Sequence, residues 1–344
     1  MTATSTFRAP WFARNPHVQT LWGKFIGPEV PLDARRETWQ TPDGDDVTVL
    51  RAHAARADAP RFVLFHGLEG TERSHYVSSL FRAAVARGWA ADMMLWRSCG
   101  GVNNRAARFY HSGETGDAGW FLHRLAETYP EAPIVACGVS LGGNVLTKLV
   151  GDPTHVLPPT LVAAAAVSVP FDLERGSRHI GTGVSRMYEK WFLRSLRVKA
   201  LEKASRYPEL FPQPQVIARI RTLWEFDDLI TGPLHGFAGA SDYYTRSSAI
   251  HFVQAARVPL LLLSAADDPF LPRDVLDEVR LRARSNALVH TEFVPHGGHV
   301  GFIIGDSLTR TRSYLAERVP GFFAQHLPLA ARFSGSTAVP DPSA

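Results

Sequence analysis

At 344 residues, with 45% hydrophobic and 20% charged residues, the chain has a globular composition and can bury one large core or two modest ones. A formal charge of +4, with no recognised nucleic-acid motif beside it, argues against a nucleic-acid partner. No apolar run reaches the roughly 18 residues of a spanning helix, Met1 to Pro10 lacks a signal peptide's apolar region, and two cysteines make no disulfide framework, so a reducing cytoplasm is the expected compartment.

Residues 1–40 read as an irregular extension containing Asn15-Pro16-His17-Val18-Gln19-Thr20. Pro42-Asp43-Gly44-Asp45 is a turn that leads into a strand at Val47–Arg51. Asp43, Asp45 and Asp46 lack the glycine and closing glutamate of a calcium loop, so they belong to a hairpin. Arg61–Phe65 is an apolar, buried strand ending in His66-Gly67-Leu68-Glu69-Gly70. A helix follows over Ser74–Arg87, closed by Gly88, and then a strand over Trp89–Trp96. The loop Arg97-Ser98-Cys99-Gly100-Gly101 continues to Tyr110-His111-Ser112-Gly113-Glu114-Thr115, and Asp117–Tyr129 is helical.

The chain is organised around Gly138-Val139-Ser140-Leu141-Gly142, between a strand at Ala132–Cys137 and a helix starting at Gly143. A serine between glycines at a strand-to-helix turn is the nucleophile-elbow pattern: the turn is too tight for bulk, and it lifts the hydroxyl off the sheet. The same stretch echoes a dinucleotide-binding GxGxxG, but Ser140 stands where pyrophosphate needs a glycine, which excludes that reading. Leu161–Ser168 is the next strand. From about residue 171 to 244 the pattern is helical, and Asp172–Thr222 holds 11 Lys/Arg against 5 Asp/Glu. That block reads as a lid, and its basic surface is a candidate for peripheral contact with anionic lipid. Strands at Val258–Ala265 and Val289–Val294, a helix near Arg273–Ala283 and an amphipathic C-terminal helix through Leu308, Tyr314, Leu315 and Phe322 follow; Pro340–Ser343 reads as a frayed tail. Strands alternating with helices imply an α/β class: one domain, with a mostly parallel sheet covered on both faces and a helical lid insertion.

A serine hydroxyl needs a base near pKa 6.5, hence a histidine, and that histidine needs a carboxylate to fix its tautomer. An acid follows the first strand after the lid, at Asp267 or Asp268, and a histidine follows the next, at His296 or His299. Asp267, the first acid off the strand, is preferred. Glycines 297, 298 and 301 would let the loop around His299 press close to the serine. The amides of Leu68 and Leu141 are the expected oxyanion donors. His66 is read as a residue that fixes its loop by hydrogen bonds. No CxxC or HExxH spacing supports a metal, and no cofactor is implied.

Taken together, the stretches Asn15–Thr20, His66–Gly70, Tyr110–Thr115, Gly138–Asn144, Phe226-Asp227-Asp228, His235-Gly236-Phe237, Asp242-Tyr243-Tyr244, Asp267–Phe270 and Gly297–Phe302 resemble the YheT-like α/β-hydrolases, which are related to eukaryotic ABHD-type lipases. The resemblance spans about residues 7 to 325. It implies a serine carboxylic-ester hydrolase with Ser140, Asp267 and His299 as triad. Acyl esters of short to medium chain or glycerolipids are the implied substrates. An acyltransferase using the same triad is the alternative. Where the family usually has an Arg-Gly-Cys-Ser-Gly-like loop, this chain has Arg97–Gly101, expected near the pocket mouth. Phe226–Asp228 and Tyr243-Tyr244 fall in the lid, where they either line a pocket or anchor the lid; anchoring is the preferred reading.

Overall fold

The computed structural model describes residues 5–25, 33–101 and 103–328. Eight strands form one sheet in the order β1-β2-β4-β3-β5-β6-β7-β8. These are β1 (Arg35–Gln40), β2 (Asp46–Ala52), β3 (Arg61–Phe65), β4 (Ala90–Met94), β5 (Ile134–Val139), β6 (Leu161–Val167), β7 (Leu260–Ala265) and β8 (Val289–Val294). From β4 to β8 every pairing is parallel; β1 and β2 are joined by the Pro42–Asp45 turn and run antiparallel at one edge. Every residue of β3, β5 and β7 is buried, which is why these strands read as unbroken apolar runs rather than alternating ones.

Helices cover both faces. They include α1 (Pro16–Phe25), α2 (His75–Val85), α3 (Thr115–Thr128) and α4 (Leu141–Gly151), with α2 packed on a C-terminal helix at Leu315–His326 and α3 on α4. Between β6 and β7 the chain leaves the sheet for a run of helices that includes α5 (Leu173–Ile180), the 21-residue α6 (Arg186–Arg206) and a π-helical turn at Asp227–Thr231. The C-terminal ends of the parallel strands open toward this insertion, so the residues just after β3, β5, β7 and β8 converge beneath it.

Three local expectations change. The extension is not irregular: it holds α1 and β1. The pattern around Leu308 is not helix. It is the turn of a hairpin between β9 (Ile303–Ser307) and β10 (Arg310–Ser313), where Leu308 is exposed and has no core to face. The Arg97–Gly101 loop lines neither cavity described below. Arg97 is instead fully buried, donating to Asp117 at 2.7 and 2.8 Å, Asp45 at 2.8 Å and Asp43 at 2.9 Å. The aspartates of the β1–β2 turn therefore balance an arginine rather than a metal. The tail at Pro340–Ser343 lies outside the described residues.

Candidate active site

Ser140 sits at the junction of β5 and α4 with φ 53° and ψ −119°, a conformation that costs free energy in any residue but glycine. The turn can close only because its neighbours lack side chains. A Cβ on Gly138 would lie 2.3 Å from the Gly142 carbonyl oxygen, and one on Gly142 would lie 2.2 Å from that of Phe65. The strain points Ser140 Oγ at His299, whose Nε2 is 2.9 Å away.

His299 Nδ1 in turn faces a carboxylate, at 2.9 and 3.2 Å from its two oxygens, and this carboxylate belongs to Asp268. The expected Asp267 is not the partner. After β7 the chain turns sharply, with the Asp268 amide donating to the Ala265 carbonyl, and consecutive side chains diverge. Asp268 points inward and is buried. Asp267 points along the histidine loop, where it accepts from the Gly298 amide at 3.0 Å and lies 3.2 Å from Nδ1 of the exposed His296. The Phe270 ring stacks on the His299 imidazole, centroids 4.0 Å apart, and shields that face from water.

The loop carrying His299 is braced by the N-terminal segment. Thr20 Oγ1 accepts the His299 amide at 2.9 Å, and buried Gln19 accepts the Ile303 amide at 2.8 Å while donating to the Ala13 carbonyl. Glycines in the loop serve this contact rather than an approach to the serine: Cβ atoms on Gly298 and Gly301 would lie 2.4 and 2.5 Å from the carbonyl oxygens of Pro16 and Gln19. Sequence reasoning missed Gln19 and Thr20 as site residues. Their stretch stood out as a motif, but nothing local says that α1 meets a loop some 280 residues downstream.

On the other side of Ser140, the loop after β3 brings Gly67 within reach; a Cβ there would sit 3.1 Å from Ser140 Cβ. The Gly67 amide donates to Tyr76 Oη at 3.0 Å and the Glu69 amide to Tyr110 Oη at 2.7 Å. The Leu68 amide between them has no acceptor among the described residues. Leu141, at the first turn of α4, has the unpaired amide that every helix start presents. Both leucines line the cavity at Ser140. His66 is fully buried. Its Nε2 accepts from the Trp96 amide at 3.0 Å and its Nδ1 donates to the Gly67 carbonyl at 2.7 Å; burial pushes its pKa down to about 3, so it is a neutral brace. The loop is tied to the insertion through Glu69, whose carboxylate accepts from Lys199 Nζ at 2.7 Å and from Ser195.

The α/β-hydrolase fold model matches residues 60–306. The chain is 39% identical to YheT of Escherichia coli (strain K12), a protein named as an esterase, over 319 residues that cover 91% of both chains. It belongs to the YheT-like α/β-hydrolases. A more distant relative, human "Phospholipase ABHD3", is 26% identical over 295 residues, covering 83% of this chain and 71% of that one. The Pyrococcus furiosus esterase Pf2001 has the same fold, with a TM-score of 0.56 at 12% identity, over 95% of this chain and 99% of that one. This YheT-like chain is thus a hydrolase of the esterase and lipase type.

Two cavities of the YheT-like chain meet at Ser140. One, of about 130 Å³, is lined by Leu68, Leu141 and side chains of the insertion. The other is an open groove of about 1580 Å³ that includes His299, Arg73, Arg82 and Trp191. Phe226, Asp227, Tyr243 and Tyr244 line the smaller cavity, and Tyr243 anchors the insertion as well, its Oη accepting the Ser112 amide at 2.7 Å. Asp228 braces the insertion internally by accepting the Ala240 amide at 2.9 Å.

Among the described residues, His111, Glu114 and His235 have metal-ligand spacing. They do not fit a cation. The Gly113 amide donates to His111 Nδ1, which leaves the proton on Nε2, 3.5 Å from the Glu114 carboxylate. Arg108 already pairs with Glu114 at 3.3 Å, and the positive charges of Arg108 and Lys148 beside His111 oppose a further cation.

Proposed function

We propose that this chain is a serine carboxylic-ester hydrolase that works through an acyl-enzyme on short- to medium-chain acyl esters or acylglycerols. The observation that carries the reading is the unbroken line Ser140 Oγ–His299 Nε2, His299 Nδ1–Asp268, at 2.9 Å each, ending at a cavity beside two unpaired amides. Ser140 Oγ attacks the ester carbonyl carbon as its proton passes to His299 Nε2. The Asp268 carboxylate holds the imidazole tautomer and stabilises the imidazolium. Negative charge on the carbonyl oxygen is met by the Leu68 and Leu141 amides. Collapse breaks the bond to the alcohol oxygen, which takes the proton from His299, and water repeats the sequence to release the acid.

No metal or cofactor takes part in this scheme. The helical insertion acts as a lid, and its outer face joins exposed Val184, Met187, Trp191 and Val198 to Arg186, Lys190 and Arg194. That mixture suits an anionic lipid surface. No helix among the described residues is long and apolar enough to cross a membrane. Cys99 and Cys137 are free and buried, in keeping with a reducing cytoplasm.

The test is labelling by a fluorophosphonate probe, followed by hydrolysis of p-nitrophenyl esters of graded length. Labelling and turnover that vanish together in folded Ser140→Ala protein are expected. Full turnover by that variant would sink the reading. Sedimentation with phosphatidylglycerol vesicles, but not phosphatidylcholine vesicles, checks the lipid contact.

A further inference from the structure

The smaller cavity holds one ionisable group that the reaction above does not use. Asp227 begins the π-helical turn Asp227–Thr231, an uncommon geometry frequent at functional sites, and it lines the cavity. Tyr244 Oη donates to Asp227 Oδ2 at 2.7 Å, and the Thr231 hydroxyl also hydrogen-bonds to it. No arginine, lysine or histidine among the described residues forms an ion pair with it. A carboxylate accepts about four hydrogen bonds, so acceptor capacity remains for a ligand in the cavity that Asp227 lines. Its setting among apolar side chains, with no cation beside it, pushes its pKa up to about 6.

The two cavities differ in what they can receive. The leaving alcohol must face His299 Nε2 to be protonated, and His299 lines the open groove. Leu68 lines both cavities, Leu141 only the smaller one and His299 only the groove, so with the alcohol in the groove the smaller cavity is left for the acyl chain. Its volume of about 130 Å³ is slightly less than the ~150 Å³ that accommodates benzene, which fits an acyl chain of roughly six carbons. A purely hydrocarbon chain of that length would displace water from Asp227 and return no donor to it, a loss that sites built around a buried polar group punish heavily.

We propose that the smaller cavity selects a short acyl group with a hydroxyl at its far end, accepted by the Asp227 carboxylate. The substrate class is then the ester of a short ω-hydroxy acid. This rests on the ester-hydrolase reading and specifies its acyl side.

The experiment compares methyl 6-hydroxyhexanoate with methyl hexanoate by pH-stat titration, on the full chain and two variants. The wild-type kcat/KM is expected to favour the hydroxy ester about tenfold or more. Asp227→Leu should reverse the preference. The isosteric Asp227→Asn, which keeps an acceptor but loses the charge, should cut it about three- to tenfold. A purely structural role for Asp227 would lower both rates and leave their ratio alone. A wild type that prefers hexanoate, or a ratio unmoved in Asp227→Asn, overturns the inference while the esterase reading stands. Folded wild-type protein that hydrolyses neither ester, nor any p-nitrophenyl ester, removes both.

Discussion

Two aspartate–histidine pairs lie side by side after β7 and β8. Asp268–His299 is buried, stacked under Phe270 and continued to Ser140. Asp267–His296 has a longer contact of 3.2 Å and an exposed imidazole whose other nitrogen meets no serine among the described residues. The residue types are identical and the acids are neighbours in sequence. Only direction differs, and the turn after Ala265 sets it. A catalytic pair is therefore defined by what its outer nitrogen faces and by the water kept from it, and an Asp–His contact alone is ordinary surface chemistry.

Substitutions can break or sharpen this contrast. Ser140→Ala or His299→Ala should lower kcat by about 10⁶-fold, since members of such a line act as a unit. Asp268→Asn should cost about 10⁴-fold by stabilising the wrong imidazole tautomer. The same fall in Asp267→Asn, with Asp268→Asn active, would reverse the assignment.

Asp227 supplies a third aspartate, half-buried and without a histidine, and its effect is on stability. Its folded pKa of about 6 stands above the ordinary 3.8. Between those values the native state binds more protons than the unfolded one, so stability falls as pH rises through that window and the full deficit remains above it. Asp227→Asn should remove a penalty on the order of 2–3 kcal/mol. Melting curves should show the variant's Tm gaining on wild type from pH 4 to pH 7.5. A constant difference would mean that the carboxylate is well solvated.

Asp267→Asn should leave kcat within about tenfold and lower stability by about 1 kcal/mol through the weakened bond to the Gly298 amide. His296→Gln should change neither rate nor Tm measurably, because it alters an exposed pair worth under about 1 kcal/mol. A large rate loss there would mean the outer pair also touches the reaction.

The parts of this site legible in the sequence are those with a local cause. The β5–α4 elbow needs Gly138 for its own turn and Gly142 for the close approach of β3, and the apolar runs of β3, β5 and β7 follow from burial on both faces. Ser140 and His299 follow from such local patterns and from the resemblance. The choice between Asp267 and Asp268 was not legible, because both leave the same strand and the deciding quantity is a turn angle. The bracing by Gln19 and Thr20 was hidden for another reason: its partners are far apart in the chain. Nothing in Phe226-Asp227-Asp228 separates a residue that lines a cavity from one that ties the lid, because that depends on which way each side chain leaves the π-helical turn.

The contact between α1 and the histidine loop also has a temporal meaning. Gln19 and Ile303 are 284 residues apart. At ordinary synthesis rates of ~5–20 residues per second, α1 leaves the ribosome roughly 15 to 60 seconds before the segment it braces exists. Through that interval the nascent chain carries an early helix with an unclaimed polar side, and His299 has not yet been made. The earliest and almost the latest parts of the chain must then find one another, a long-range closure of the kind that slows folding. Activity should therefore appear only after release of the finished chain, making hydrolysis a reporter of completed synthesis.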